Sequence, residues 1–340
     1  MTADPGTANP RVGGERVRFG VVAIGRNEGD RLRRCLLSVL PFAQAVVYVD
    51  SGSHDGSPDT ARSLGARVTL LDPDVPFTAA RARNQGWRQL LVDDADLEYI
   101  QFVDGDCEVV PGWLAEAQSF LDSHPDVAAV AGRRRERFRD ASPYNLLCDL
   151  EWASGGTGPT KACGGDAMMR ARALVQAGGF RDSLIAGEEP ELCIRMRAAG
   201  WKIWRLDAEM TLHDAAMTRF GQWWKRSVRT GFAYAAGVHL HGAAPERHWV
   251  RESRSAWLWG LGLPVVLLLA SVVATPWALT GFLAYPFQVL RLCLAAPGSL
   301  HERLTRSTFL TLGKFAEAAG QLKFLGQTAS GSAGRLIEYK

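Results

Sequence analysis

Phe102-Val103-Asp104-Gly105-Asp106 is an apolar strand that runs into two aspartates one residue apart. Side chains alternate along a strand, so extended backbone through Gly105 predicts that Asp104 and Asp106 point the same way. Two carboxylates at a strand's end suit a hard divalent cation, which binds through a few carboxylates and the phosphates of a substrate. Alone, an Asp-x-Asp reads more readily as a solvated turn. The segments around it decide the matter.

Upstream, Arg18 to Ile24 reads as a first buried strand, followed by the turn Gly25-Arg26-Asn27-Glu28-Gly29-Asp30 and a helix from Arg31. Ala45 to Val49 is a second strand ending at Asp50, and Arg67 to Leu71 a third. A helix reads from Phe77 to Leu91, and Glu98 to Val103 delivers the aspartates. Strands alternating with helices predict a parallel sheet with helices on both faces, whose ligands bind beyond the carboxyl ends of the strands. Asn27, Glu28, Asp50, Asp104 and Asp106 all fall at those ends.

Further on, Pro111 opens a helix and Val127 to Ala131 is another strand. The run Arg133-Arg134-Arg135-Glu136-Arg137 reads as a solvated edge more readily than as an anion site. Gly155 to Gly165 reads as a mobile loop, Glu191 to Ala199 as a helix and Phe220 to Ala236 as another.

The chain has 340 residues, 47% apolar and 22% charged, which describes a globular protein with ample core. A net charge of +3 gives no case for nucleic acid. The six cysteines show no zinc spacing and read as buried hydrophobes of a reducing compartment. Residues 1–16 read as a loose, disordered tail without the apolar region of a signal peptide.

From Ser255 to Leu290 there is no Asp, Glu, Lys or Arg. This stretch holds at most two short spans, with Arg247, Arg251 and Arg254 before it and Arg291, Arg303 and Arg306 after it. Basic residues on both flanks predict a hairpin with both ends in the cytoplasm; a buried helical pair is the other reading. Leu304 to Leu325 is patterned as an amphipathic helix and is expected on the membrane surface.

Five segments together resemble family 2 glycosyltransferases, over roughly Phe19 to Ala236. Val49-Asp50-Ser51-Gly52-Ser53-His54-Asp55-Gly56-Ser57 is similar to the family's nucleotide loop, with His54 where Thr is usual. Ala82-Arg83-Asn84-Gln85-Gly86, Asp104-Gly105-Asp106, Gly164-Gly165-Asp166 and Gly187-Glu188-Glu189-Pro190-Glu191-Leu192 follow in family order. The resemblance implies a GT-A fold, a Rossmann-like mixed α/β sheet flanked by helices, with the apolar hairpin and amphipathic helix appended. Expected boundaries are 17–240 for the catalytic domain, 255–292 for the hairpin and 300–340 for the last helix and tail.

The resemblance also implies chemistry. A nucleotide-sugar donor loses a diphosphate, whose developing charge a divalent cation, Mn2+ or Mg2+, would stabilise. Asp106 and His213 are the implied metal ligands, with Asp104 as a further ligand or a ribose contact. Asn27, Glu28, Asp50, Arg83, Asn84, Asp104, Gly165, Asp166 and Arg226 are the implied nucleotide-sugar contacts. Glu189, where the family usually has Asp, is the implied general base, with Glu188 close enough to share the assignment. Gln222-Trp223-Trp224-Lys225-Arg226 departs from the motif of processive synthases. The expected partners are a nucleotide-sugar, a glycan or lipid-linked acceptor and membrane lipids, at the cytoplasmic face of the inner membrane. A sugar-nucleotide nucleotidyltransferase and an inactive nucleotide-sugar-binding protein are the rival readings. The first lacks its basic Gly-rich loop after the first strand. The second rests on Glu189 alone.

Overall fold

A computed structural model describes residues 11–12, 15–16 and 18–330. The expected disordered tail lies outside the described residues, except for β1 (Arg11–Val12) and β2 (Glu15–Arg16), which pair antiparallel. The chain divides into two compact units. The first comprises residues up to 137, 152–183 and 188–215; the second comprises 138–151, 184–187 and 216 onward. Residues 216–240, expected with the catalytic domain, thus fall with the C-terminal helices.

The first unit opens with β3 (Phe19–Gly25), α1 (Asp30–Val39), β4 (Ala45–Asp50), α2 (Ser57–Ser63), β5 (Arg67–Leu70), α3 (Ala79–Asp93) and β6 (Tyr99–Asp104). These strands pair in parallel in the order β5-β4-β3-β6. The near-continuous apolar runs of β3, β4 and β6 are buried on both faces, as a covered parallel sheet requires, while β5 at the edge is largely exposed. Thr78 caps α3 by accepting from the Arg81 N–H at 3.0 Å.

β7 (Cys107–Val109), α4 (Trp113–Ser123), β8 (Val127–Glu136), β9 (Gly158–Thr160), β10 (Ala167–Arg170), α6 (Ala171–Gln176), α7 (Glu188–Ala198) and β11 (Lys202–His213) complete this unit. Between β8 and β9 runs α5 (Pro143–Ala153), most of which belongs to the second unit. β10 lies antiparallel to both β6 and β8, and β11 runs parallel to β8. The sheet is therefore mixed, in the order β5-β4-β3-β6-β10-β8-β11-β7, with β9 on β11. Three expectations are corrected here. β6 stops at Asp104 and a turn carries Asp106, so strand alternation does not relate the two aspartates. β8 runs five residues further than expected, through the arginine run, and is an interior strand rather than an edge. The Gly-rich segment contains β9, which pairs antiparallel with β11.

The second unit is helical: α8 (Phe220–His241), α9 (Val250–Trp257), α10 (Leu263–Val273), α11 (Ala284–Ala295) and α12 (Leu300–Ser330). α8 and α12 touch backbone to backbone. A Cβ at Gly231 would lie 2.0 Å from the Glu317 carbonyl oxygen, and one at Gly320 would lie 2.0 Å from that of Val228. Phe232 and Phe324 meet edge to face at 5.3 Å. α12 was expected on a membrane surface; its small residues bury one face against α8, and Leu304, Leu322 and Leu325 stay exposed. Two helical stretches, Val250–Val273 of 24 residues and Pro276–Ala295 of 20, are long and apolar enough to cross a membrane. Val272, Val273 and Trp277 are about four-fifths exposed, so this pair is not a buried core hairpin.

Gly86 fixes how α3 sits on the sheet. A Cβ there would lie 2.3 Å from Cγ1 of Val22 on β3 and 3.1 Å from Val49 on β4. Overpacking of this kind costs roughly 1–3 kcal/mol. Gly86→Ala is expected to lower stability by that amount in denaturant unfolding; an unchanged midpoint would show that α3 has room to lift.

Candidate active site

Strand register assembles the site at the carboxyl edge of the first unit's sheet. Gly25 lies beside Asp50 on β4, and Ile24 beside Asp104 on β6. The β3–α1 and β4–α2 loops are laced together. The Asn27 N–H donates to Ser53 Oγ at 2.8 Å, the His54 N–H to Asn27 Oδ1 at 2.8 Å and the Gly29 N–H to Asp55 at 2.9 Å. Asn27 holds φ at 55°, a left-handed conformation that asparagine tolerates. Glu28 pairs with Arg31 at 2.9 Å. Asp50 accepts from Tyr48 Oη, the N–H groups of Gly52 and Ser53, and Ser53 Oγ. Burial and Asp50 together push the Tyr48 phenol well above its ordinary pKa. Both Asp50 oxygens shape its own loop.

Two arginines, Arg83 buried and Arg134 partly exposed, form the centre. Arg83, on α3, donates to Asp104 at 2.8 Å and to Glu188 at 2.7 Å. Arg134, on β8, pairs with Asp166 at 2.7 Å, lies 3.7 Å from Asp104 and stacks over Trp152 at 5.3 Å. Burial works against both charges, but Asp104 and Glu188 for Arg83, and Asp166 foremost for Arg134, hold each pKa above its ordinary value. Asp166 is fully buried; it also accepts from Thr211 Oγ1 at 2.9 Å and from the Asp104 N–H at 3.0 Å. Gly165 passes directly over this pair. A Cβ there would meet Arg83 Nη2 at 2.7 Å and Asp104 Oδ2 at 3.3 Å.

Asp106 and His213 form a second group. β11 places His213 beside Cys107 on β7 and Glu136 on β8. His213 Nδ1 lies 3.0 Å from Glu136, and Nε2 lies 3.3 Å from Asp106. Trp152 packs its ring edgewise on the imidazole at 4.7 Å. Burial would lower the His213 pKa, but Asp106 and Glu136 outweigh it and raise it. A carboxylate on Nδ1 orients Nε2 as a ligand, the arrangement found behind metal-binding histidines. Ligand atoms of Asp106, Cys107 and His213 all lie within 4.8 Å of one another, so these residues fit a divalent cation.

Glu188 and Glu189 open α7, and their surroundings differ. Glu188 is clamped on Arg83. Glu189 Oε1 accepts from the Cys163 N–H at 2.6 Å and from the thiols of Cys163 at 3.1 Å and Cys193 at 3.0 Å. Asn84 is almost fully buried and bonded to Phe180, Asp182 and Trp87, so it holds the loop before α7 rather than facing a ligand. Arg226 belongs to the second unit and pairs there with Glu151 at 2.7 Å.

Sequence reasoning missed Arg134, Glu136, Trp152 and the two thiols. Alternation along β8 held the signal for the first two. Arg133 pairs with Asp207, and Arg135 lies 3.5 Å from Glu209, both in exposed pairs, while Arg134 and Glu136 turn to the other face.

Parallel strands with a carboxylate edge, a paired Asp-x-Asp, a histidine at the end of the last long strand and a helix opening with two glutamates sit together on a fold of the GT-A type. Residues 21–175 match the model of glycosyl transferase family 2. The fold is similar to that of a mannosyltransferase from Pyrobaculum calidifontis solved with GDP-mannose and Mn2+, at a TM-score of 0.57 and 20% identity, over 92% of this chain and 88% of that one. A TPR repeat-containing protein of Synechococcus elongatus is 30% identical over 139 residues, 41% of this chain and 32% of that protein. The succinoglycan biosynthesis protein ExoA of Rhizobium meliloti is 27% identical over 181 residues, 50% of this chain and 54% of that protein. The chain thus spans about a third and about half of these two curated relatives.

Removing Arg134 should leave Asp166 buried without its ion partner, which typically costs about 3–5 kcal/mol. Arg134→Met is expected to lose that much in chemical denaturation, and Arg134→Met with Asp166→Asn to regain most of it. A single variant within about 1 kcal/mol of wild type would mean that Thr211 and the Asp104 amide suffice for Asp166.

Proposed function

We propose that this protein is a metal-dependent inverting glycosyltransferase. It moves one sugar from a nucleotide-sugar donor to a hydroxyl of a glycan or lipid-linked acceptor, in polysaccharide or glycolipid assembly at the cytoplasmic face of the inner membrane. The observation that carries this reading is the division of labour at the sheet edge. Arginines for a diphosphate, an Asp/His pair for a cation and a carboxylate held outside the ion-pair network occur together.

Asp106 and His213 would hold Mn2+ or Mg2+, with Asp104 behind them, tied to Arg83. When bound, the cation supplies charge that stabilises the departing diphosphate. Asn27, Glu28 and the loop organised by Asp50 would form the nucleotide floor. Arg83 would meet the diphosphate, with Gly165 giving access and Asp166 holding Arg134 in place. Asn84 and Arg226 are left out of this set because their partners lie elsewhere.

Glu189 is the general base in this reading. Glu188 is occupied by its ion pair with Arg83, which disfavours it as the base. Glu189 takes the proton of the acceptor hydroxyl as that oxygen attacks the anomeric carbon. The bond from that carbon to the diphosphate oxygen breaks, its electron pair leaves with the nucleotide, and the anomeric centre inverts. The GDP-mannose and Mn2+ of the Pyrobaculum enzyme, and the polymer pathway in the name of the Rhizobium protein, support the donor class, the cation and the process.

Glu189→Gln is expected to keep donor binding and to lose transfer by roughly 10²–10⁴-fold, the usual cost of a general base. A comparable loss in Glu188→Gln, with Glu189→Gln active, would move the base to Glu188.

Residues 250–295 would anchor the enzyme near a lipid-linked acceptor. The exposed apolar helices and the flanking arginines support that placement. Membranes washed with carbonate are expected to retain the protein, with tags at both termini accessible from the cytoplasm. Full release into the soluble fraction, or tags on opposite faces, would exclude a hairpin.

A further inference from the structure

The surroundings of Glu189 hold a group of ligands that glycosyl transfer does not require. Cys163 precedes the Gly164-Gly165 turn into β10, and Cys193 lies one helical turn after Glu189 on α7. Their sulfurs are 3.7 Å apart, and both thiols are directed at one oxygen, Glu189 Oε1, at 3.1 and 3.0 Å. Cys163 is partly exposed, so the group can be reached, and Cys193 is buried.

This spacing is that of a metal site. Zinc binds thiolate sulfur at about 2.3 Å and carboxylate oxygen at about 2.0 Å in tetrahedral geometry, which sets sulfur to sulfur at about 3.8 Å and sulfur to oxygen at about 3.5 Å. The observed sulfur separation already matches. The sulfur–oxygen separations need to open by a few tenths of an ångström, as expected when a cation replaces two thiol hydrogens. Two soft sulfurs and one carboxylate select a thiophilic ion over Mg2+ or Mn2+. A fourth position stays open for water.

We propose that Cys163, Cys193 and Glu189 form an inhibitory binding site for Zn2+, distinct from the Asp106/His213 pair. Binding releases two protons, one from each thiol, and changes no oxidation state. The carboxylate becomes a zinc ligand and can no longer accept the acceptor's proton. The inhibition rests on the reading of Glu189 as the base; the metal site does not.

The test uses the full chain under a phosphine reductant, which prevents disulfide formation, with saturating Mn2+ to occupy the Asp106/His213 pair. Zn2+ stoichiometry is measured for wild type, Cys163→Ser and Cys193→Ser, and transfer is followed against Zn2+, each protein relative to its own zinc-free rate. Cd2+ titration of the wild type provides a readout needing no variant, through the ultraviolet thiolate-to-cadmium absorption. The expected result is one more zinc on wild type than on either variant, a cadmium–thiolate band, and at least a 100-fold fall in wild-type transfer that EDTA and fresh Mn2+ reverse. Equal zinc stoichiometry in all three proteins, with no cadmium band, would overturn the site. An extra zinc with undiminished transfer would overturn the inhibition and the base assignment to Glu189, while Glu189→Gln alone still active would identify the base assignment as the failed part.

Discussion

Three carboxylates, those of Asp104, Asp166 and Glu188, share two guanidiniums in the interior of the sheet edge, and the arrangement of the site depends on that balance. Buried charges are tolerated only when paired with good geometry. Arg83 arrives from α3, Arg134 from β8, Asp104 from β6, Asp166 from the turn into β10 and Glu188 from α7. Five separate elements are therefore located by one electrostatic requirement. A shift in any of them separates a charge from its partner, most severely at Arg83 and Asp166, which are buried.

The same network separates chemical roles. Asp104 is fixed toward arginine, which leaves Asp106 to face His213. Glu188 is fixed toward arginine, which leaves Glu189 among neutral donors. Consecutive residues of a helix diverge by about 100°. Two adjacent glutamates at the start of α7 can thus serve two environments, and neither can take the other's place without rotating the helix.

Much of the parallel half of the sheet was legible because it is local. The β3–α1–β4–α2–β5–α3–β6 order follows from apolar runs and intervening helical patterns, and the edge positions of Asn27, Glu28, Asp50 and Asp104 follow from it. The antiparallel half was not, because its pairings are distant in sequence. β10 inserts between β6 and β8, and nothing in residues 133–137 alone tells that the strand continues or which face meets Asp166. Asp106 was assigned correctly to the strand's end but by the wrong geometry, since the turn begins one residue earlier than alternation assumes. α12 shows the opposite problem. Its pattern of Phe and Leu was read as a surface for lipid, and the glycines and alanines between them, which permit backbone contact with α8, were passed over.

The extra methylene of Glu189 relative to the aspartate usual in its family carries a historical implication. The longer side chain reaches the Cys163 amide and places one oxygen between two sulfurs. An aspartate at this position would fall short of that point by about one carbon–carbon bond, and both thiols would lose their shared acceptor. The three side chains thus form one contact unit. In descendants of a common ancestor, the glutamate and the cysteine pair should be gained or lost together, and a lineage reverting to aspartate is free to replace both cysteines by small apolar residues.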